Sequence, residues 1–519
     1  MSGWTDARVT AALGLGANPQ GEAVHYTGVS TDTRTVARGA LFVALRGDVH
    51  DAHAFLADAA AAGAQGAVVE RVPEGAPGGL RYYVVRDTLE ALGRLGRCRR
   101  RTLAARVCAV AGSNGKTTTK DMLRAVLSVR YRVHATTGNF NNLVGTPLTL
   151  LAAPAEAEVI IAEIGTNMPG EIAQLAAIVE PDAAIITGIS AEHLEGLRDL
   201  AGVLREETSL LPWLPDAGIA VVADEPPVLA ERARRLHAAV IAAGISERAD
   251  AGARGTDVLL DDEGRVRFRW ADREVALPLR GRHNARNALL ALALGEAWGV
   301  APDDAVAALA ALKAPKLRTE LHHYGALTVI ADCYNANPAS TDAAVDLLAS
   351  MPRRGGRVAV LGSMLELGPQ SAAIHAQSAR AVAARELDLI VATGEFVDAF
   401  APLRAQLGER LILETDPLAA WSRLEPALRG DEVVLLKASR GVALERLLPR
   451  FEEKWGSLHP HGEAYGSRAI DTSTGLRDDA QPAERPHGGF RVDGESDGEG
   501  DGEGDGEGAA RRASRGREG

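Results

Sequence analysis

The sequence predicts an α/β protein of three domains followed by a disordered tail, and three observations support this. The chain has 519 residues, more than a single hydrophobic core usually supports. Apolar strand patterns alternate with helical patterns as far as about residue 455, which is the order of doubly wound, mostly parallel sheets. Beyond that point acid alternates with glycine from Asp493 to Gly508, a composition that cannot form a core.

The first predicted domain covers residues 1–103 and is an α/β unit. Its expected elements are strands near 40–45, 66–70 and 81–85, an alanine-rich helix at 52–62 and an arginine-rich helix at about 88–101.

The second predicted domain, 104–313, has a doubly wound pattern of P-loop type, and the third, 314–455, has a Rossmann-like pattern that starts at Ala314-Pro315. Residues 456–519 form the predicted tail. The expected strands are 107–111, 158–162, 183–189, 218–223, 326–331, 357–361, 387–392 and 432–437, with a hairpin near 264–277 and a helix at about 284–298.

Composition and charge exclude several classes of protein. The net charge of -12 argues against non-specific nucleic-acid binding. Cys98, Cys108 and Cys333 lack metal or disulfide spacing, so small buried side chains in a reducing compartment are expected. The N-terminus lacks a basic-then-apolar signal, and no apolar run approaches the roughly 20 residues that cross a bilayer. A cytoplasmic protein without membrane insertion is therefore expected.

An apolar strand runs from Val107 into a loop framed by Gly112 and Gly115, and Lys116 and Thr117 open the following helix. Small residues let backbone N–H groups face phosphate oxygens, lysine reaches the β/γ region and the hydroxyl can bind Mg²⁺. A full Walker A motif would have glycine at Val110. The loop thus predicts a nucleotide site, with a lysine-bearing helix cap as the alternative.

Polar residues follow two more strands at the same predicted sheet edge. Glu163 follows one strand, and His193 lies in Ser190–Gly196 after another. Because the carboxyl ends of parallel strands gather at one edge, these side chains and Thr117 are expected to converge on Mg²⁺. Taken singly, His193 is a common surface residue and Glu163 a helix cap.

The segment from Asp199 to Leu211 has helical periodicity, and it places a carboxylate on an apolar face. Glu207 falls near the centre of the stripe, whereas Glu206 lies about 100° away. An inward carboxylate requires a cation, either a metal or a basic side chain. The stripe consists of Leu200, Val203, Leu204, Leu210 and Leu211.

With these motifs in place, residues 24–450 resemble the Mur ligase family. The asparagine-rich stretch 138–142 and Tyr334–Pro338 indicate the members that add D-alanyl-D-alanine. The resemblance rests on seven segments in order, Gly112 to Lys120, Gly138 to Thr149, Glu163 to Ile172, Gly281 to Asn284, Tyr334 to Pro338, Leu361 to Gly368 and Ser439 to Gly441.

The resemblance implies an ATP-dependent amide ligase that joins D-alanyl-D-alanine to UDP-N-acetylmuramoyl tripeptide through an acyl phosphate, with Mg²⁺ and as a monomer. Catalysis is expected to rest on positioning and charge neutralisation rather than on a protein nucleophile. The alternatives are another Mur-type ligase, a folylpolyglutamate-synthase-like enzyme, or a nucleotide-binding protein without catalytic activity.

The family's site residues carry over by position. Lys116, His193 and Glu207 are the implied catalytic residues, and Thr117, Glu163, His193 and Glu207 the implied metal ligands. The implied nucleotide contacts are Gly112, Ser113, Asn114, Gly115, Lys116, Thr117, Thr118, Asn284, Arg318, Asp332 and Asn335. The implied substrate contacts are Ser30, Asp32, Arg34, Asn139, Asn141, Asn142, Lys437 and Arg440, with the first three on the UDP side and the last two on the dipeptide side.

Two positions depart from the family pattern. Many relatives have at Glu207 a lysine that reacts with CO₂ to form a carbamate, so a glutamate there predicts activity independent of CO₂. Ser363 stands where relatives often carry aspartate, and its ligand contact is left open.

Overall fold

The computed structural model describes residues 3–16, 24–47, 50–313, 316–352 and 355–456, and these form three α/β units with separate cores. The predicted tail, beyond Gly456, lies outside the described residues. So does Ala314-Pro315, the expected start of the third domain. The first predicted boundary, at 103/104, falls between a helix that ends at Arg100 and a strand that begins at Arg106.

The first unit is built on a parallel four-stranded sheet in the order β3-β4-β5-β6, beside a two-stranded antiparallel pair. The predicted helix at 52–62 is a 3₁₀ turn followed by a short α-helix. The elements are β1 (Trp4–Thr5), α1 (Asp6–Leu13), β2 (His25–Tyr26), β3 (Val29–Ser30), β4 (Leu41–Val43), α2 (Leu56–Ala61), β5 (Gly66–Val69), β6 (Arg81–Val84) and α3 (Thr88–Arg100).

The second unit has a six-stranded parallel sheet, ordered β12-β11-β10-β7-β9-β8, with an antiparallel sheet β13-β14-β15. Separate apolar clusters cover its two faces, so its inner strands read as continuous apolar runs. The elements are β7 (Arg106–Ala111), α4 (Lys116–Ser128), β8 (Val133–Ala135), α5 (Gly145–Ala152), β9 (Val159–Glu163), α6 (Glu171–Val179), β10 (Ala183–Ile186), α7 (Leu194–Leu197), α8 (Leu200–Thr208), β11 (Ile219–Ala223), α9 (Pro227–Leu236), β12 (Val240–Ala243), β13 (Gly255–Leu260), β14 (Arg265–Trp270), β15 (Arg273–Arg280), α10 (His283–Ala297) and α11 (Pro302–Ala310).

The third unit has a six-stranded sheet in the order β16-β17-β21-β18-β19-β20, in which only β16 is antiparallel to its neighbour. The elements are β16 (Glu320–Tyr324), β17 (Leu327–Asp332), α12 (Pro338–Ser350), β18 (Arg357–Leu361), α13 (Ser371–Ala383), β19 (Leu389–Ala392), α14 (Phe396–Phe400), α15 (Arg404–Leu407), β20 (Leu411–Leu413), α16 (Trp421–Leu424), β21 (Val433–Lys437) and α17 (Leu448–Trp455).

The sheets confirm the α/β class but contain strands that the sequence did not predict. β8, β12, β16 and β20 are sheet edges of three to five residues. The predicted hairpin gains a third strand, β13. The predicted strand 183–189 ends at Ile186, before Gly188 with its φ of 143°.

Cys108 and Cys333 are buried, as expected, while Cys98 is only partly covered, and all three thiols are free. None of the described helices combines the length and the apolar composition needed to cross a membrane.

Candidate active site

The loop between β7 and α4 has the backbone shape expected of a phosphate cradle. Gly112 and Gly115 have φ angles of 113° and 82°, which other residues rarely adopt. A Cβ on Gly112 would lie 2.5 Å from Thr187 Oγ1, and one on Gly115 would lie 2.5 Å from Asn287 Oδ1. Conformation and close approach therefore both require glycine here.

The Lys116 side chain folds back over this loop. Its Nζ donates to the carbonyl oxygens of Gly112 and Ser113, at 2.6 and 3.3 Å. Burial would lower the pKa of Lys116, but the carboxylates of Glu192, Glu207 and Glu163 raise it above its ordinary value. The ammonium is thus held charged at the point where phosphate charge would be neutralised.

Glu163, at the end of β9, lies beside Thr117 as the sequence predicts. Its Oε1 accepts from Thr117 Oγ1 at 3.1 Å and from Asn141 Nδ2 at 3.0 Å. Its Oε2 is buried without a hydrogen bond, 3.8 Å from the ammonium of Lys120. Asn141 therefore reaches the central site, whereas the Asn142 side chain accepts from the backbone N–H groups of Val144 and Gly145 just before and at the start of α5.

Glu207 points inward, as predicted, with 1% of its surface exposed. Its Oε2 accepts from Gly112 N at 2.7 Å, and its Oε1 is buried without a hydrogen-bond partner. Burial raises the pKa of Glu207 to about 7, against the lowering effect of Lys116. A buried carboxylate with one oxygen lacking a hydrogen bond would be stabilised in its ionised form by an added cation.

One detail of the predicted α8 face is wrong, and one buried carboxylate was not predicted. Leu200 is 48% exposed rather than part of the stripe, because it is the first helical residue after the Asp199 cap. Glu206 is buried as well, because its carboxylate accepts from the N–H groups of Gly170 and Ile172 at the start of α6. A helix N-terminus stabilises that charge.

His193 lies directly before α7, and its backbone is in the left-handed region with φ 50°. Its Nδ1 contacts the carboxylate of Glu366, and its Nε2 lies 4.0 Å from Glu192 Oε2. Burial lowers the pKa of His193, but Glu366 and Glu192 outweigh it and raise that pKa. Glu192 was not singled out from the sequence, although it sits beside His193 in the same segment after a strand.

The donor set fits a magnesium ion held partly by nucleotide phosphates. Among the described residues no three His, Cys, Asp or Glu side chains converge closely enough to form a cage by themselves. Mg²⁺ usually takes only one or two carboxylates, with water and phosphate completing its coordination. Three buried carboxylate oxygens without hydrogen bonds lie around Lys116, on Glu163, Glu192 and Glu207, and the Thr117 hydroxyl donates to the other oxygen of Glu163.

The third unit closes over the phosphate loop. Arg318 Nη2 donates to Thr117 Oγ1 at 3.3 Å, and the Arg318 guanidinium stacks 4.0 Å over the Tyr334 ring. Asn114 and Asn337 exchange side-chain amide hydrogen bonds of 2.8 and 3.2 Å. Residues from two units thus share one cleft.

Asp332, Asn335 and Lys437 form one cluster at the ends of β17 and β21. Lys437 Nζ lies 2.9 Å from Asp332 Oδ2 and donates to Asn335 O at 2.6 Å, and it is 2% exposed. Arg440 pairs with Glu445 at 3.0 Å on the surface. Contacts of these residues with nucleotide or dipeptide stay predictions.

Asn284 and Ser363 have their polar groups bonded inside the protein. Asn284 is 3% exposed, donates to Arg280 O at 2.7 Å and accepts from Asn287 at 3.0 Å. Ser363 Oγ accepts from Glu395 N at 3.0 Å, which supports the turn after β19. The adenine contact of Asn284 stays a prediction.

The remaining predicted residues are bonded to other groups of the protein or are buried. Ser30, Asp32 and Arg34 form one turn, in which the Asp32–Arg34 ion pair of 2.7 Å lowers the pKa of Asp32. The backbone carbonyl oxygen of Asn139 accepts from the backbone N–H of Asn141. Ser113 Oγ donates to the backbone oxygen of Ser190, and Thr118 is buried at the start of α4.

Comparison with known proteins finds matches to one family in two parts of the chain. Residues 110–295 match the Mur ligase middle domain, and residues 317–440 match the family described as Mur ligase, glutamate ligase domain. UDP-N-acetylmuramoyl-tripeptide–D-alanyl-D-alanine ligase of Bacillus subtilis is 35% identical over 444 residues, which is 83% of this chain and 94% of that protein.

Solved structures show the same likeness. A crystal structure of MurF from Acinetobacter baumannii is 32% identical, with a TM-score of 0.78 over 87% of this chain and 99% of that one. MurF ligase from Thermotoga maritima in complex with ADP is 26% identical, with a TM-score of 0.73 over 82% of this chain and 97% of that one. The shared domains, the identity over most of the chain and the common three-unit fold lead to one conclusion: the chain belongs to the Mur ligase family, among its UDP-N-acetylmuramoyl-tripeptide–D-alanyl-D-alanine ligases.

Proposed function

We propose that this chain uses ATP to join D-alanyl-D-alanine to the terminal carboxylate of UDP-N-acetylmuramoyl tripeptide, giving the pentapeptide precursor of peptidoglycan. The observation that carries the proposal is the cleft around Lys116, in which a phosphate loop, buried carboxylates and residues of a second unit meet. The Bacillus relative with the named activity supports the choice of substrates.

The reaction has two displacement steps on the substrates. A tripeptide carboxylate oxygen attacks the γ-phosphorus of ATP, the bond to ADP breaks, and an acyl phosphate forms. The dipeptide amine then attacks the acyl carbon, inorganic phosphate leaves, and the nitrogen loses a proton. Neither step needs a protein nucleophile, so the work of the protein is orientation and charge neutralisation.

The residues of the cleft suit that work. Lys116 holds a positive charge over the loop, and Arg318 adds a second cation from the third unit. The left-handed glycines Gly112 and Gly115 allow the backbone N–H groups of the loop to face phosphate oxygens. Thr117, Glu163, His193 and Glu207 would hold Mg²⁺, and Glu192, which has a buried oxygen without a hydrogen bond, is an additional candidate. The ion would supply charge stabilisation for the transferring phosphoryl group.

We further infer that the enzyme acts in the cytoplasm, where ATP is supplied and free cysteines stay reduced, and that it acts as a monomer. The UDP end of the substrate is assigned to the turn of Ser30, Asp32 and Arg34, and Asn139, Asn141 and Asn142 to the peptide. These assignments rest on the family resemblance together with the position of Asn141 beside Glu163.

Mass analysis of the product tests the proposal. Purified protein with Mg-ATP, UDP-muramoyl tripeptide and D-alanyl-D-alanine should give a product of the summed mass less one water, with one phosphate released per product. Omission of either UDP-muramoyl tripeptide or D-alanyl-D-alanine should abolish phosphate release. Amide formation with a different amine would indicate another Mur-type or folylpolyglutamate-type ligase, and absence of turnover with retained ATP binding would indicate a non-catalytic protein.

A further inference from the structure

A second contact between the central and third units lies beside the metal-side histidine. It joins the loop of residues 193–198, which includes α7, to the loop of residues 366–370 that precedes α13. Glu195 N donates to Glu366 O at 3.4 Å, and Gln370 Nε2 donates to Arg198 O at 2.5 Å. We call this contact the 193–366 junction.

The backbone of the junction is closely fitted. His193 and Glu366 both occupy the left-handed region, with φ angles of 50° and 65°. Left-handed conformations in non-glycine residues cost free energy and persist where surrounding contacts hold them. A Cβ on Gly368 would lie 2.9 Å from Glu195 Cα, so the two loops approach as closely as glycine permits.

The side chains at the junction continue into the catalytic cleft. Glu366 contacts Nδ1 of His193, and the other ring nitrogen lies 4.0 Å from Glu192 Oε2. Glu192 Oε1 in turn lies 3.8 Å from the Lys116 ammonium. A chain of four side chains therefore runs from the third unit to the phosphate loop. Carboxylates that bond the far nitrogen of a histidine set its ring orientation and its tautomer.

We propose that Glu366 is a positioning residue for the ligase reaction, holding the His193 imidazole toward Glu192 and the phosphate loop only when the third unit is docked. The kinetic part of this inference rests on the proposed function. Residues that orient a metal-side histidine typically change activity by about 10- to 100-fold. Docking of the third unit and completion of the central site thereby become one event.

Four variants separate positioning from simple docking. Glu366→Ala removes the carboxylate, and Glu366→Gln keeps an acceptor for Nδ1. Gln370→Ala removes a contact between the same loops without touching His193. Glu425→Ala breaks the surface ion pair with Lys454, 2.6 Å long, elsewhere in the third unit and serves as the control.

We expect Glu366→Ala to lower kcat about 10- to 100-fold with little change in KM for ATP, and Glu366→Gln to recover much of the loss. Gln370→Ala should change kcat less than about 3-fold, and Glu425→Ala should match the wild type. Equal losses in Glu366→Ala and Gln370→Ala would reduce the junction to a docking contact and overturn the proposal, as would an unchanged kcat in Glu366→Ala.

A labelling experiment reads the same contact without nucleotide, metal or turnover. Diethyl pyrocarbonate acylates accessible imidazole nitrogens, and mass spectrometry of peptides gives the rate at His193. Glu366→Ala should raise that rate several-fold, whereas Gln370→Ala and Glu425→Ala should leave it near the wild-type value. Equal labelling rates in the wild type and these three variants would contradict the proposal even if the enzyme proved to use other substrates. A raised labelling rate in Glu366→Ala, together with a wild-type protein that has no ligase activity, would contradict the proposed function alone.

Discussion

Glu207 has a buried carboxylate that hydrogen-bonds the phosphate loop through one oxygen and leaves the other without a partner. The family resemblance implies that many relatives carry a carbamylated lysine at this position. Glutamate carries its own charge, so the chain needs no CO₂ to generate it. A cation near the free oxygen would favour the ionised form over the protonated one.

Activity should therefore be independent of bicarbonate. Rates of phosphate release measured in degassed buffer and in buffer with added bicarbonate should agree within experimental error. Glu207→Lys is the informative companion variant, since its activity, if any, should rise with bicarbonate. A strong bicarbonate requirement in the unmodified chain would refute the assignment of Glu207.

The pKa of Glu207 also predicts a pH-dependent stability. Its folded-state value of about 7 lies above the ordinary 4.5, so the stability that its proton provides is complete below pH 4.5 and is lost as pH rises through 7. Glu207→Gln cannot ionise. The free energy of unfolding of Glu207→Gln, relative to that of the wild type, should therefore rise by roughly 1–3 kcal/mol as the pH is raised from 5 to 8. The variant should lose most ligase activity.

Urea unfolding at both pH values, with chelator and without nucleotide, measures this difference. Glu453→Gln, which changes an exposed carboxylate on α17, should show no such trend. A gain for Glu207→Gln that is the same at pH 5 and pH 8 would rule out titration of Glu207 as the cause.

At the scale of elements, the junction of β7 and α4 depends on glycine geometry. Gly112→Ala would place its Cβ 2.5 Å from Thr187 Oγ1 and 2.7 Å from Thr187 N, in a conformation with φ 113°. We expect a loss of roughly 1–3 kcal/mol in stability and loss of ATP-dependent turnover. Unfolding curves and phosphate release measure the two effects.

The matched control for this prediction is Gly252→Ala. Gly252 has no positive φ, and nothing lies within 4 Å of the position that a Cβ would take there. The alanine should leave stability and turnover near the wild-type values. Wild-type turnover in Gly112→Ala would show that the loop does not need its observed conformation.

The elements also show why local pattern has limits. β7, β9 and β10 are buried on both faces and give strong apolar runs, whereas edge strands such as β8 and β20 have three residues each. A run of three residues is too short to show a period, so these sequences carry a weak signal. The burial of Glu206 likewise could not be predicted from its helix, because its partners are N–H groups of α6.

At the scale of the whole molecule, the cleft exists because the third unit docks on the second. The reciprocal amide pair of Asn114 and Asn337 lies at this interface, and Asn337 also caps α12 together with Ser340. Asn337→Ser removes the inter-unit donor but keeps a residue that caps helices well. The capping and docking roles of Asn337 can thus be separated.

Asn337→Ser should raise KM for ATP several-fold and increase the radius of gyration measured by small-angle scattering without nucleotide, because one hydrogen-bonded tie is lost. Ser340→Ala, which weakens the cap but leaves Asn114 paired, should keep the wild-type radius. If both variants expand the protein equally, the cap rather than the amide pair controls docking.

The sequence alone determined the α/β class, the order of the inner strands and their helices, the phosphate loop and the convergence of Thr117 and Glu163, because these follow from local periodicity and from the edge that parallel strands share. Tertiary structure alone decided that Glu366 contacts His193, that Lys437 pairs with Asp332, and that Asn337 meets Asn114. Such contacts join residues remote in the chain, and their partners are set by how the units pack, which local pattern does not encode.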